Sequence, residues 1–111
     1  MSVKRVGMVI GLRSEKADVY RTLHGDGSPG VRDLLNKYHM HNFSIFARKL
    51  DDGEEYLFGY FEYTGDDYEA DMAALAAEPR NTAWLAQCDP CQRPLDGETS
   101  WAVMDRVYYN P

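Results

Sequence analysis

An α+β fold of order strand, helix, strand, strand, helix, strand follows from three observations on this chain. Alternating apolar segments occupy residues 4–12, 41–50 and 55–63. Apolar residues three and four apart, the helical spacing, fill the stretch between the first and second segments and the stretch after the third. The 111 residues, 44% of them hydrophobic, supply one core and not two, so 1–111 reads as a single domain. A βαββαβ order is the ferredoxin-like arrangement, an antiparallel sheet with its helices on one face.

Val6, Met8, Ile10 and Leu12 fall on one side of the first strand. Ser14 stands as the N-cap of a helix over 15–24, whose apolar side carries Val19 and Leu23. The run Gly25-Asp26-Gly27-Ser28-Pro29-Gly30 stops that helix, and Ser28 followed by Pro29 is a second start signal. Val31, Leu34, Leu35 and Tyr38 continue at helical spacing, so the first helical region is bent or split just after His24. Asp51-Asp52-Gly53-Glu54 joins the second and third strands as a hairpin. Tyr68, Met72 and Leu75 share one stripe of the next helix; Pro79 breaks it, and Asn81 reads as the cap of a short helix holding Trp84, Leu85 and Cys88. Residues 101–109 read as the last strand.

A sheet with one wet face shows polar residues at every second position. Here Phe43, Ile45 and Ala47 alternate with Ser44 and Phe46, and Leu57, Gly59 and Phe61 alternate with Tyr56, Phe58 and Tyr60. Two helical regions cover one face, so the other is a ligand cavity, a subunit interface or both. The expected assembly is a homodimer packed sheet to sheet, the dimeric α/β-barrel type, with a pocket between helix and sheet. The alternative is a monomer whose loop over 88–100 covers the open face.

A net charge of -6 argues against a nucleic-acid partner, which needs a basic footprint. A small neutral or weakly charged molecule fits better. The first residues hold no apolar run long enough for a signal peptide or a membrane span, so a cytoplasmic protein with no membrane partner is expected. Two cysteines make no disulfide framework, and Cys88-Asp89-Pro90-Cys91 is a CxxC without a second half. His39 and His41 put two imidazoles at a strand entrance with nothing nearby to complete a ligand set, so no metal site is expected.

Tyr20 and His24 stand four apart, which puts a phenol and an imidazole on one helical face at the end of the first helix. A histidine there can exchange protons near neutral pH; equally, it can serve as a C-terminal cation on free carbonyls. Trp84 and Trp101 are core residues or stacking walls. Gln92 is either a donor to a bound molecule or an exposed loop glutamine.

The strand followed by Tyr20-x-x-x-His24, the proline and Leu-rich helix, His41-Asn42-Phe43-Ser44-Ile45-Phe46, the helix ending near Trp84 and the closing strand after Trp101 resemble the L-rhamnose mutarotase family over residues 5–109. Gln92-Arg93-Pro94-Leu95 and Trp101-Ala102-Val103-Met104-Asp105 are more similar to its L-fucose-associated branch. The resemblance implies a dimer of ferredoxin-like subunits that interconverts the anomers of a 6-deoxy-hexose by acid/base ring opening and closure, an aldose 1-epimerase working without metal or cofactor. It implies His24 as catalytic acid and Tyr20 as its hydrogen-bonding partner and proton relay. Trp84 becomes an apolar wall, with Asn42, Phe43, Gln92 and Trp101 as further sugar-binding residues.

The chain departs from the family pattern at three places. Ala83 stands where the first of two adjacent tryptophans is usual, Phe43 where a tyrosine follows His-Asn, and the glycine-rich turn replaces a proline-containing run after the histidine. The first two changes bear on which sugar is taken. Two other classes share features of the sequence: an oxidoreductase of the dimeric α/β-barrel monooxygenase type, which has the same element order, and a non-enzymatic sugar- or metal-binding protein built around Cys88, Cys91 and the paired histidines.

Overall fold

Strand β1 (Lys4–Leu12) is the axis of the fold, in a computed structural model that describes residues 2–111. On one side it pairs antiparallel with β3 (Glu55–Tyr63) along its whole length, from Lys4 opposite Tyr63 to Leu12 opposite Glu55. Strand β2 (Met40–Lys49) lies beyond β3, joined to it by the Asp52-Gly53 turn in which Gly53 takes a left-handed φ of 82°. The other edge of β1 is shared. Gly11 and Leu12 take a two-residue strand, β4 (Gln92–Arg93), and Gly7, Met8 and Val9 take β5 (Ala102–Met104).

The result is the α+β, ferredoxin-like curled antiparallel sheet that the alternation predicts, with the helices α1 (Ala17–Leu23), α2 (Arg32–Lys37), α3 (Tyr68–Ala77) and α4 (Pro79–Cys88) packed on it. Val6, Met8, Ile10, Leu12, Leu57 and Phe61 form the buried floor under them. Among the described residues no helix is long and apolar enough to cross a membrane.

Several boundaries differ from the sequence expectation, each for a local reason. Ser14 does not cap a helix: it opens a 3-10 turn, Ser14–Lys16, which Arg13 precedes with its backbone N–H on the Cys91 carbonyl at 2.8 Å. Val19 is 49% exposed, because the buried stripe of α1 runs through Ala17, Tyr20 and Leu23 onto Ile10, Leu57 and Cys88. The second helix begins at Arg32 and not at Ser28, since Gly30 holds a left-handed φ of 55° that a helix cannot include. Pro79 ends α3 by starting α4 at its first position, so Glu78 takes the flanking place and Asn81 lies inside the helix. The last strand is three residues long instead of nine: Ala102–Met104 pair with Val9, Met8 and Gly7, and residues 105–111 pair with no strand among those described, although β4 takes only Gly11 and Leu12 of that edge.

Candidate active site

Helices and sheet do not close on each other completely. Between them lies a cavity of about 720 Å³, and Tyr20, His24, Asn42, Phe43, Trp84, Gln92 and Trp101 all line it.

His24 is the C-terminal cap of α1, and its position follows from the turn that ends the helix. Its Nδ1 lies 2.8 Å from the backbone carbonyl of Tyr20. A carbonyl oxygen only accepts, so Nδ1 carries the hydrogen and donates it. In the neutral ring Nε2 is then the free acceptor. Burial lowers the imidazole pKa below its ordinary value and the nearby Arg32 guanidinium lowers it further, while the Tyr20 carbonyl works in the opposite direction.

Tyr20 is 4% exposed and its ring stacks on His24 with centroids 4.1 Å apart. The Gln92 amide Nε2 donates to the Tyr20 hydroxyl at 3.2 Å, which leaves the phenolic hydrogen free to point elsewhere. Burial pushes this phenol well above its usual pKa, partly offset by the Gln92 hydrogen bond, so it stays protonated at neutral pH. Gln92 is a buried member of β4 and not an exposed loop residue.

Trp84 meets His24 edge-on at 5.1 Å and lies against Gly30, where a Cβ would come within 3.4 Å of the indole. Trp101 leans over β3 at Gly59, where a Cβ would sit 3.0 Å from Met8 and 3.3 Å from Trp101. Phe43 stacks on Phe61 at 5.3 Å. Asn42 occupies the β2 bulge with a left-handed φ of 53°, and its amide donates to Glu62 at 3.0 Å, so its own polar group is already engaged. Ala83 is exposed and borders a second hollow of about 300 Å³ beside Pro29, outside the main cavity.

Arg32 and Asn81 line the cavity without a site role in the sequence expectation. Arg32 braces the turn after His24, its guanidinium donating to the carbonyls of His24 and Gly25 at 3.3 Å each and to that of Ser28. Its signal was weak, since an arginine at a helix start is ordinary. Asn81, read as a cap, instead lines the cavity with Trp84, Leu85 and Cys88, a 0, 3, 4, 7 spacing that was visible in the sequence.

The CxxC and the histidine pair do not combine. Among the described residues no three His, Cys, Asp or Glu side chains gather as a metal-binding group. Both cysteines are buried and free, and burial pushes the Cys88 thiol up to about 12, far from a thiolate at neutral pH.

A ferredoxin-like sheet roofed by helices over a largely apolar cavity, with the His24 imidazole and the Tyr20 phenol stacked at its wall, has the form of a small-molecule site. The family model for L-rhamnose mutarotase matches residues 5–110. An L-rhamnose mutarotase of Oceanobacillus iheyensis is 34% identical over 91 residues, 82% of each chain. The crystal structure of an L-rhamnose mutarotase from Formosa agariphila superposes with a TM-score of 0.69 at 19% identity, covering 97% of this chain and 99% of that one. An antibiotic biosynthesis monooxygenase structure also shares the fold, with a TM-score of 0.52 at 17% identity over 96% of this chain and all of the other. The chain belongs to the L-rhamnose mutarotase family, and with it to the isomerases that act on carbohydrates.

Proposed function

We propose that the protein interconverts the α and β anomers of a 6-deoxy-hexose, L-rhamnose first and L-fucose as the alternative. The observation that carries this reading is the stacked pair in which His24 Nδ1–H is tied to the Tyr20 carbonyl while Gln92 donates to the Tyr20 hydroxyl. One proton acceptor, Nε2, and one proton donor, the phenol, then stand side by side at the wall of a sugar-sized cavity.

Ring opening needs both. His24 Nε2 takes the proton of the anomeric hydroxyl as the C1–O1 bond becomes a carbonyl. The C1–O5 bond breaks with its electron pair going to O5, and O5 takes the Tyr20 proton. After the aldehyde turns, O5 attacks the other face of C1. Its proton returns to Tyr20, and the imidazolium gives its proton to O1. His24 therefore begins as a base and acts as the acid only on the return, which narrows the acid role expected from sequence. Trp84 supplies an apolar wall, with Phe43 and Trp101 flanking it. The reading needs no cofactor.

We infer a homodimer built on the uncovered face of the sheet. Phe46, 67% exposed, sits in one row with Phe58, Val9 and Ala102, beside Tyr60 and Met104. A contiguous apolar surface of this kind favours a second copy related by two-fold symmetry.

Saturation-transfer NMR between sugar anomers tests the chemistry directly. After subtraction of the uncatalysed rate, catalysed exchange of L-rhamnose or L-fucose is expected to be level near neutral pH and to fall on acidification, with its inflection below the ordinary imidazole value of about 6.5. The sign follows from the neutral ring being the working form. Exchange that instead rises as the ring protonates assigns the opening step to an acid, and no catalysed exchange with any 6-deoxy sugar overturns the function.

A further inference from the structure

We propose that Asn81 is a substrate-binding residue that reads a hydroxyl on the C3–C4 edge of the sugar, opposite the anomeric carbon; this rests on the mutarotase reading above. Asn81 is only 7% exposed, yet its side-chain amide makes no hydrogen bond to any described residue. A buried amide without a partner in the chain is costly unless water or a ligand reaches it, and Asn81 lines the cavity. Its side-chain atoms are not among those both closed off from solvent and without a hydrogen bond; among the described residues only Arg93 Nη2 is, and that atom lies 3.5 Å from the Glu54 carboxylate. On this proposal the amide turns to the cavity its one acceptor and two donor hydrogens, unused within the chain, the complement of a vicinal pair of hydroxyls.

Its location says which hydroxyls. α4 presents Asn81, Trp84, Leu85 and Cys88 to the cavity. The Cys88 end packs with Tyr20 in one buried cluster, and Trp84 stands edge-on to His24 at 5.1 Å. Asn81 lies one turn further along, about 4.5 Å by helical rise. With C1 and O5 held at His24 and Tyr20, a pyranose lying along Trp84 brings its far edge to Asn81. L-rhamnose and L-fucose differ in configuration at C2 and C4, so an amide reading C4 bears directly on which of them is accepted. Phe43 lacks a hydroxyl at the other wall, which leaves more of that discrimination to Asn81.

The experiment compares wild type with Asn81→Leu, which keeps the branched shape and removes the amide. Anomeric exchange is measured on L-rhamnose, L-fucose and the L-rhamnose analogues lacking the C3 or the C4 hydroxyl. Asn81→Leu is expected to raise KM for the preferred sugar about tenfold with kcat within about twofold. The two proteins should share one KM on an analogue that lacks the hydroxyl in question. Its Tm should rise by a few degrees, because an unpartnered buried amide is replaced by an apolar group, whereas a merely structural asparagine would lower it. Independently of any variant, titration of wild type with the sugar should shift the Asn81 side-chain amide resonances. An unchanged KM on the parent sugars, or an amide resonance that stays put as sugar binds, overturns the proposal while leaving the mutarotase reading intact. A wild type that neither exchanges nor binds any of the sugars overturns both.

Discussion

The two faces of the sheet are built from the same alternation but are used differently. On the helix side, Met8, Ile10, Leu57 and Phe61 are buried, and the cavity begins where the helices fail to fill the space above them. On the other side Tyr56, Phe58 and Tyr60 are only partly covered and Phe46 is open. One face thus buries its apolar residues within the subunit around a cavity with polar groups at its wall. The other leaves apolar surface over. Apolar alternation thus fixes which residues share a face but not what covers it: α1 to α4 cover one face, and within the subunit the second stays open, the surface on which the proposed dimer would form.

The largest effect should come from the helix side alone. His24→Ala is expected to reduce catalysed anomeric exchange by about 10²- to 10⁴-fold, the range for loss of a positioned acid/base group, with the fold and the open face unchanged. Tyr20→Phe should cost less, because water reaching the cavity can still protonate O5. Saturation-transfer NMR with a folded-state check by heteronuclear spectra separates these outcomes. Exchange at the wild-type rate in His24→Ala removes the imidazole from the mechanism.

A change on the open face should do the reverse. In a two-fold dimer Phe46→Arg places a guanidinium in the interface twice, and association is expected to weaken by about 100-fold. Sedimentation velocity over a concentration series reads this directly. Exchange per subunit should stay within about twofold at full sugar saturation. Sedimentation identical to wild type removes the open face as the interface, and a parallel loss of turnover means the two faces are coupled through the partner.

The parts of this molecule legible in the sequence are those decided by period and punctuation. β3 runs over the residues that the alternation gives it, Glu55–Tyr63, because both flanks are marked by turn chemistry and both faces are apolar. All seven expected site residues line one cavity, since each lies on a helix face turned to the sheet, at the end of an element or on a sheet face that the order of elements brings together. The misplacements are competitions that a single sequence does not display. Val19 and Tyr20 both suit a buried stripe, and only packing against Ile10, Leu57 and Cys88 selects Tyr20. Asn81 has the chemistry of a cap, but Pro79 takes the start of the helix and turns Asn81 inward. Residues 101–109 have strand composition, but only Ala102–Met104 pair with β1, and the chain leaves that edge before Val6 although β4 does not occupy it.

The smallest effect tests how finely the helix side is tuned. Arg32 contributes in two ways: its hydrogen bonds to the carbonyls of His24, Gly25 and Ser28 hold the turn, and its charge lowers the His24 pKa. Arg32→Gln keeps a donor for the turn but removes the charge, so the imidazole pKa should rise toward its ordinary value. On the proposed mechanism the neutral ring is the working form, and the acid limb of the exchange profile should therefore move to higher pH while the level rate near neutrality changes by no more than about threefold. The same shift has a stability counterpart. A folded-state pKa below the unfolded value stabilises above about pH 6.5 and loses that contribution as pH falls, so Arg32→Gln should narrow the window of loss between the two values. A limb that stays in place shows that burial alone sets the imidazole; a limb that moves to lower pH shows that the turn, and not the charge, is what Arg32 supplies.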